Sequence, residues 1–218
     1  MYLDTDAVVL RETRYRDADK ILTVLTRSEG LLTVAARGAC RRNCAYAASA
    51  QLLAYSRLHL FRYRDRVTLK DATLTDAWMP LRGDLERLAL GAYAAEVCQV
   101  LSPEGVESAE LFDLLRLTLY RLTYKAQPAA LVKAVFELAA MRFGGFGPDA
   151  EGIDALARMT PGAAEALAHV TDAEPPRLFS FTLDGEDLHS LARASEAYLL
   201  TQLERGFSSL DFYKEINK

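Results

Sequence analysis

The chain has 218 residues, half of them hydrophobic, with 26 Lys and Arg against 30 Asp and Glu. That composition suits a globular core in one or two domains and excludes a disordered chain. No apolar run approaches the roughly 20 residues of a membrane span, and Met1-Tyr2-Leu3-Asp4-Thr5-Asp6 lacks the features of a signal peptide, so a cytosolic address with no membrane partner is expected.

The net charge of −4 is unevenly spread. Residues 1–80 hold 13 Lys and Arg against 9 Asp and Glu, net +4, and residues 81–218 hold 13 against 21, net −8. A basic binding module joined to an acidic scaffold has this asymmetry, because phosphates respond to a local patch whatever the distant charge.

The first 80 residues carry β-branched and aromatic residues between turn signals. Strands are predicted at 6–14, 19–26, 31–37, 52–64 and 66–77, interrupted by Arg27-Ser28-Glu29-Gly30, by a loop from Gly38 to Asn43 and by a turn from Tyr63 to Arg66. Five strands in that length read as a small OB-type barrel or as an open sandwich. In the fourth strand Leu58 and Leu60 share one face, while Tyr55, Arg57, His59, Phe61 and Tyr63 share the other. That second face is either a platform for stacked bases with Arg at phosphate, or aromatic packing against the rest of the chain.

The loop Arg37-Gly38-Ala39-Cys40-Arg41-Arg42 is the most charged. Read as a mobile clamp, its three guanidinium forks hold phosphate oxygens beside a glycine that admits close backbone approach; read otherwise, it is a solvated loop. Arg11, Arg14, Arg16 and Lys20 extend the same patch if the first turn folds beside it.

From Pro80 onward the period becomes helical. Leu85, Leu88, Ala92 and Ala95 mark one stripe, Leu111, Leu115, Leu119 and Leu122 a second, and Val132, Val135, Phe136, Ala139 and Phe143 a third that stops at Gly144-Gly145. Thr160-Pro161 opens a short helix to about residue 170. Residues 178–183 alternate and read as extended, and Leu188 to Leu203 mark a last long helix with Gly206 placed to end it. The fold class is therefore α+β: a five-stranded barrel over residues 1–80, then an all-helical part over residues 81–218.

Catalytic signatures are missing: there is no phosphate cradle followed by Lys-Ser/Thr, no G-x-S-x-G and no H-E-x-x-H. No cofactor and no small-molecule substrate are expected. Cys40, Cys44 and Cys98 are too few for a disulfide framework, and Cys40 with Cys44 lack the further pair that a structural zinc needs.

The stretch from Val8 to Arg42, together with Leu81-Arg82-Gly83-Asp84-Leu85-Glu86-Arg87-Leu88, Glu110-Leu111-Phe112-Asp113 and Phe136-Glu137-Leu138 running to Gly144-Gly145-Phe146, resembles the bacterial RecO family of recombination mediators. The resemblance implies an OB domain and a helical domain, no enzymatic activity, and a place at the bacterial nucleoid. It also implies that single- and double-stranded DNA, RecR and the C-terminal tail of SSB are partners, with annealing of strands and loading of RecA as the outcome. Its basic loop maps onto Arg37, Gly38, Arg41 and Arg42, and the site expected from residues and resemblance together adds Arg14, Arg16, Arg57, Phe61 and Tyr63. Many members carry four zinc-binding cysteines after the Gly-Phe segment, whereas residues 147–176 contain none and are expected to replace that subdomain without metal. The alternative is an OB-fold adaptor whose arginines bind RNA or an acidic protein partner.

Overall fold

The computed structural model describes residues 1–147 and 158–217. Five strands come first: β1 (Tyr2–Tyr15), β2 (Asp19–Thr26), β3 (Gly30–Ala36), β4 (Tyr55–Tyr63) and β5 (Arg66–Asp76). The α-helices that follow among the described residues are α1 (Met79–Arg82), α2 (Leu85–Leu101), α3 (Ala109–Tyr124), α4 (Ala129–Phe143), α5 (Pro161–Asp172), α6 (Gly185–Leu203) and α7 (Ser208–Ile216). The strands close into a barrel in the order β1-β2-β3-β5-β4. All contacts are antiparallel except β3 with β5, a parallel pair that closes the barrel through Val34 opposite Val67 and Ala35 opposite Thr68. The α+β expectation, with the barrel rather than the sandwich, is the fold observed.

Side-chain alternation assigns each face of the barrel. Ala7, Val9, Leu22, Val24, Leu32, Val34, Leu58, Leu60, Val67 and Leu69 fill the interior. Across the outside, the register runs Tyr55–Val8–Leu25–Leu31 from β4 through β1 and β2 to β3, and this line joins the core of the helices. Strand β1 is thus buried on both faces from Ala7 to Leu10, each large side chain contributing about 1.5–3 kcal/mol of apolar burial.

The junction is fastened by polar contacts as well. Trp78 Nε1 donates to the Leu53 carbonyl at 2.9 Å, and Arg82 Nη2 donates to that of Leu52 at 2.8 Å. On the far side, Leu31 N–H donates to the Pro103 carbonyl at 3.5 Å and Gly105 N–H to that of Leu31 at 3.4 Å.

Helix α4 is buried without interruption from Leu131 to Met141 and forms the centre of the helical part. Two features of the sequence are realised differently from their reading. Residues 178–183 join no sheet; Leu178 and Phe179 are buried against the helices, so their apolar character serves helix packing. Helix α6 stops at Leu203 with Glu204 in the left-handed conformation at φ 49°, ahead of Gly206, and a further helix, α7, follows because Phe207, Leu210 and Tyr213 form an apolar stripe that packs on the core.

Candidate nucleic-acid interface

A second register line stays open. It runs Tyr2–Phe61–Thr68–Ala35–Ile21–Thr13 around the barrel, and its β3–β5 section forms the floor of a groove of about 870 Å³. Thr33, Ala35 and Thr68 keep that floor low, while the β1–β2 turn and the β4–β5 turn make its rims. In an OB barrel this is the face, bounded by these two turns, on which oligonucleotides lie.

The groove gathers Arg16, Lys20, Arg37, Arg41 and Arg66 around itself against Asp19 and Asp65. Their convergence has a local cause. Cys40 N–H donates to the Ala18 carbonyl at 2.9 Å and Gly38 N–H to Asp19 Oδ1 at 2.7 Å, which ties the basic loop to the first turn. The condition set by the sequence, that the first turn must fold beside the loop, is met. Gly38 sits at φ +73°, where a side chain is strained, and the Arg41 stem folds back across it, its Cδ 3.4 Å from the position of an added Cβ.

The loop is packed onto the barrel rather than standing free of it. Residues 38–54 fold over one end of the barrel: Ala39, Ala50 and Ala54 enter the core, Tyr46 Oη donates to the Arg37 carbonyl, and Lys20 donates to the Ala50 carbonyl at 2.9 Å. The backbone that carries its arginines is fixed by this plug while their side chains stay exposed, which lowers the ordering cost of receiving a ligand.

The expected residues separate on the structure. Arg16, Arg37, Gly38 and Arg41 line the groove. Phe61 and Tyr63 flank it, as cross-strand neighbours of Thr68 and Arg66. Arg14 and Arg42 are exposed but do not line it, Arg14 pairing in register with Lys20. Arg57 is diverted to Asp6 at 3.5 Å. Of the aromatic face on β4, Tyr55 belongs to the packing against Trp78 and Phe112, and only the upper residues face outward. Arg66 and Tyr15 also line the groove and are not among the residues the sequence singles out, although Arg66 ends the recognised turn. Lys20 is also held by Glu12, whereas Arg16, Arg37, Arg41 and Arg66 form no ion pair among the described residues.

No cluster of three or more His, Cys, Asp or Glu able to hold a metal ion occurs among the described residues. Cys98 is buried in the helical core, where desolvation pushes its thiol well above the usual range, and Cys40 and Cys44 lie in the basic loop. These thiols do not fit a four-ligand zinc site.

Comparison with known proteins places this geometry in a family. Residues 1–78 match the family model described as Recombination protein O N terminal, and residues 82–152 match Recombination protein O C terminal. The DNA repair protein RecO of Symbiobacterium thermophilum is 32% identical over 244 residues, covering 96% of this chain and 95% of that protein. The chain belongs to the RecO family. Its relatives include the DNA repair protein RecO of Acetivibrio thermocellus, 26% identical over 246 residues with 100% of this chain and 98% of that protein covered. That of Myxococcus xanthus is 34% identical over 147 residues, covering 66% and 59%. Membership makes the chain a DNA repair and recombination protein, and no described helix is long and apolar enough to cross a membrane.

Proposed function

We propose that the chain is a non-catalytic recombination mediator that binds single- and double-stranded DNA through the barrel groove and anneals complementary strands. With RecR, it helps to load RecA on DNA coated by SSB, whose C-terminal tail is a further partner, at the bacterial nucleoid. The barrel over residues 1–80 is the binding domain, and the helical domain over residues 81–218 supports it, residues 147–176 replacing a zinc-bearing subdomain; residues 148–157 lie outside the described ones. The observation that carries the reading is the set of five cations around a groove on the ligand face of an OB barrel, four of them without a carboxylate partner among the described residues. Guanidinium groups so placed attract phosphate and release counterions when it binds.

A fluorescence-anisotropy titration of a labelled single strand at several salt concentrations tests it. The expected result is binding that weakens steeply with salt, by about 0.7 in log–log slope for each single-strand phosphate contact. Binding indifferent to salt, or no binding at low salt, overturns the reading. Phe61 and Tyr63 belong to the site as its flank rather than its floor, while Arg57 pairs with Asp6 outside it.

A further inference from the structure

The open register line continues past the groove. Beyond Thr68 it reaches Phe61 and then Tyr2, on the opposite side of the floor from Tyr15. Tyr2 is 63% exposed, yet it is held like a core residue. Its ring stacks on His59 at 5.2 Å and 14° and meets Phe61 at 5.0 Å and 56°. The Lys70 ammonium lies 5.3 Å from the Phe61 centroid. The chain start is joined to this arrangement: Met1 N donates to the Arg62 carbonyl at 2.9 Å and residues 2–8 of β1 pair with β4. Asp4 accepts from His59 Nδ1 at 2.6 Å, and Asp71, opposite His59 on β5, accepts from the Ala72 N–H at 2.9 Å.

A rigid, solvent-facing aromatic platform beside a cation groove is what base stacking requires, since every base has a π-face and the ring loses little entropy when covered. We infer that Tyr2, buttressed by His59 and Phe61, is a stacking residue for a single strand that leaves the groove across β5 and β4. This inference rests on the proposed reading of the groove as a nucleic-acid site. Strand spacing of about 4.8 Å over five steps makes the line from Tyr2 to Thr13 about 24 Å long, which suits the lower end of the ~4–16 nucleotides that an OB fold takes. A duplex, whose bases are already stacked on one another, offers Tyr2 no free face.

The experiment compares the full chain with Tyr2→Ala, Tyr2→Leu and Tyr2→Phe, using a labelled oligothymidylate of about 15 nucleotides and a duplex of the same length. Tyr2→Ala and Tyr2→Leu are expected to bind the single strand about tenfold more weakly with the salt slope unchanged, Tyr2→Phe to bind like the parent, and the duplex affinity to stay the same. Equal melting temperatures establish that the variants fold, and Tyr2→Phe binding alone distinguishes lost stacking from a lost hydroxyl. Single-strand affinity unchanged in Tyr2→Ala and Tyr2→Leu, or a duplex that weakens equally, overturns the inference and leaves the groove intact. No salt-sensitive binding by the parent overturns the groove reading and this one with it.

Discussion

Single residues explain why particular amino acids occupy particular places in this barrel. Gly30, at φ +61°, faces the loop after α2 so closely that an added Cβ would lie 1.9 Å from the Val106 carbonyl oxygen. Both the backbone conformation and the space demand glycine. Gly30→Ala is therefore expected to destabilise the chain by at least about 2 kcal/mol, read from urea unfolding, since strain and forced displacement add. A loss below the error of such a curve would mean that the 103–106 loop yields freely. The arginines of the basic loop make a second contrast, because the sequence presents Arg37, Arg41 and Arg42 alike and the groove is lined by only the first two. In a salt titration, Arg37→Ala with Arg41→Ala is expected to lower the single-strand slope by about 1.4, and Arg42→Ala to leave it nearly unchanged. Equal effects from all three would show that phosphate contacts extend beyond the groove. Arg42 was indistinguishable in the sequence because charge and spacing do not report which way a turn points its side chains.

Among the elements, α4 carries a buried charged pair at the centre of the helical core. Lys133 and Glu137 are 4% and 0% exposed and 2.8 Å apart. Glu137 also accepts from Tyr93 Oη at 2.8 Å on α2 and from Ser195 Oγ at 2.6 Å on α6, while Lys133 reaches Glu196 at 2.9 Å and Glu196 in turn meets Lys214 on α7. Burial alone would depress the Lys133 ammonium, but Glu137 and Glu196 hold it above its ordinary range. One network thus joins four helices through groups that cannot be left unpaired in the core. Removing the cation in Lys133→Ala is expected to cost about 3–5 kcal/mol in denaturant unfolding, much of it from the orphaned Glu137 carboxylate. Burial acts to raise Glu196, but Lys133 and Lys214 hold it below the ordinary value of 4.5. A depressed carboxyl contributes stability above its unfolded value and loses it as pH falls through the folded one. Melting temperatures should accordingly drop below about pH 4.5, and less steeply in Glu196→Gln. Parallel acid limbs for parent and variant would remove Glu196 from the account. The stripes that predict α4 are plain in the sequence, but the i, i+4 spacing of Lys133 and Glu137 is the same for an exposed pair as for a buried one, and the single sequence does not show that α4 is covered on every side.

The whole molecule joins a set of helices to a barrel whose outer surface is divided between two faces. One register line, Tyr55–Val8–Leu25–Leu31, is consumed by the helices, and the other, Tyr2–Phe61–Thr68–Ala35–Ile21–Thr13, faces solvent. Residues 147–176 contain no cysteine, so treatment with a chelator is expected to leave the melting temperature unchanged and elemental analysis to find no stoichiometric zinc; one equivalent per chain would refute this. Local rules acting on the amino-acid sequence by themselves determined the five strands, the switch from a period of two to one of 3.6 near Pro80, the excess of positive charge in the first 80 residues and the basic loop. They reach that far because backbone sterics and side-chain alternation act over a few residues. Only the tertiary structure decided that the barrel closes through the two register pairs of β3 and β5, that Tyr55 belongs to the core while Phe61 borders the groove, and that Arg16, Arg37, Arg41 and Arg66 meet. The closure and the arrival of Arg66 depend on strands that become neighbours after more than 30 intervening residues, and charge and periodicity along the chain carry no record of that pairing.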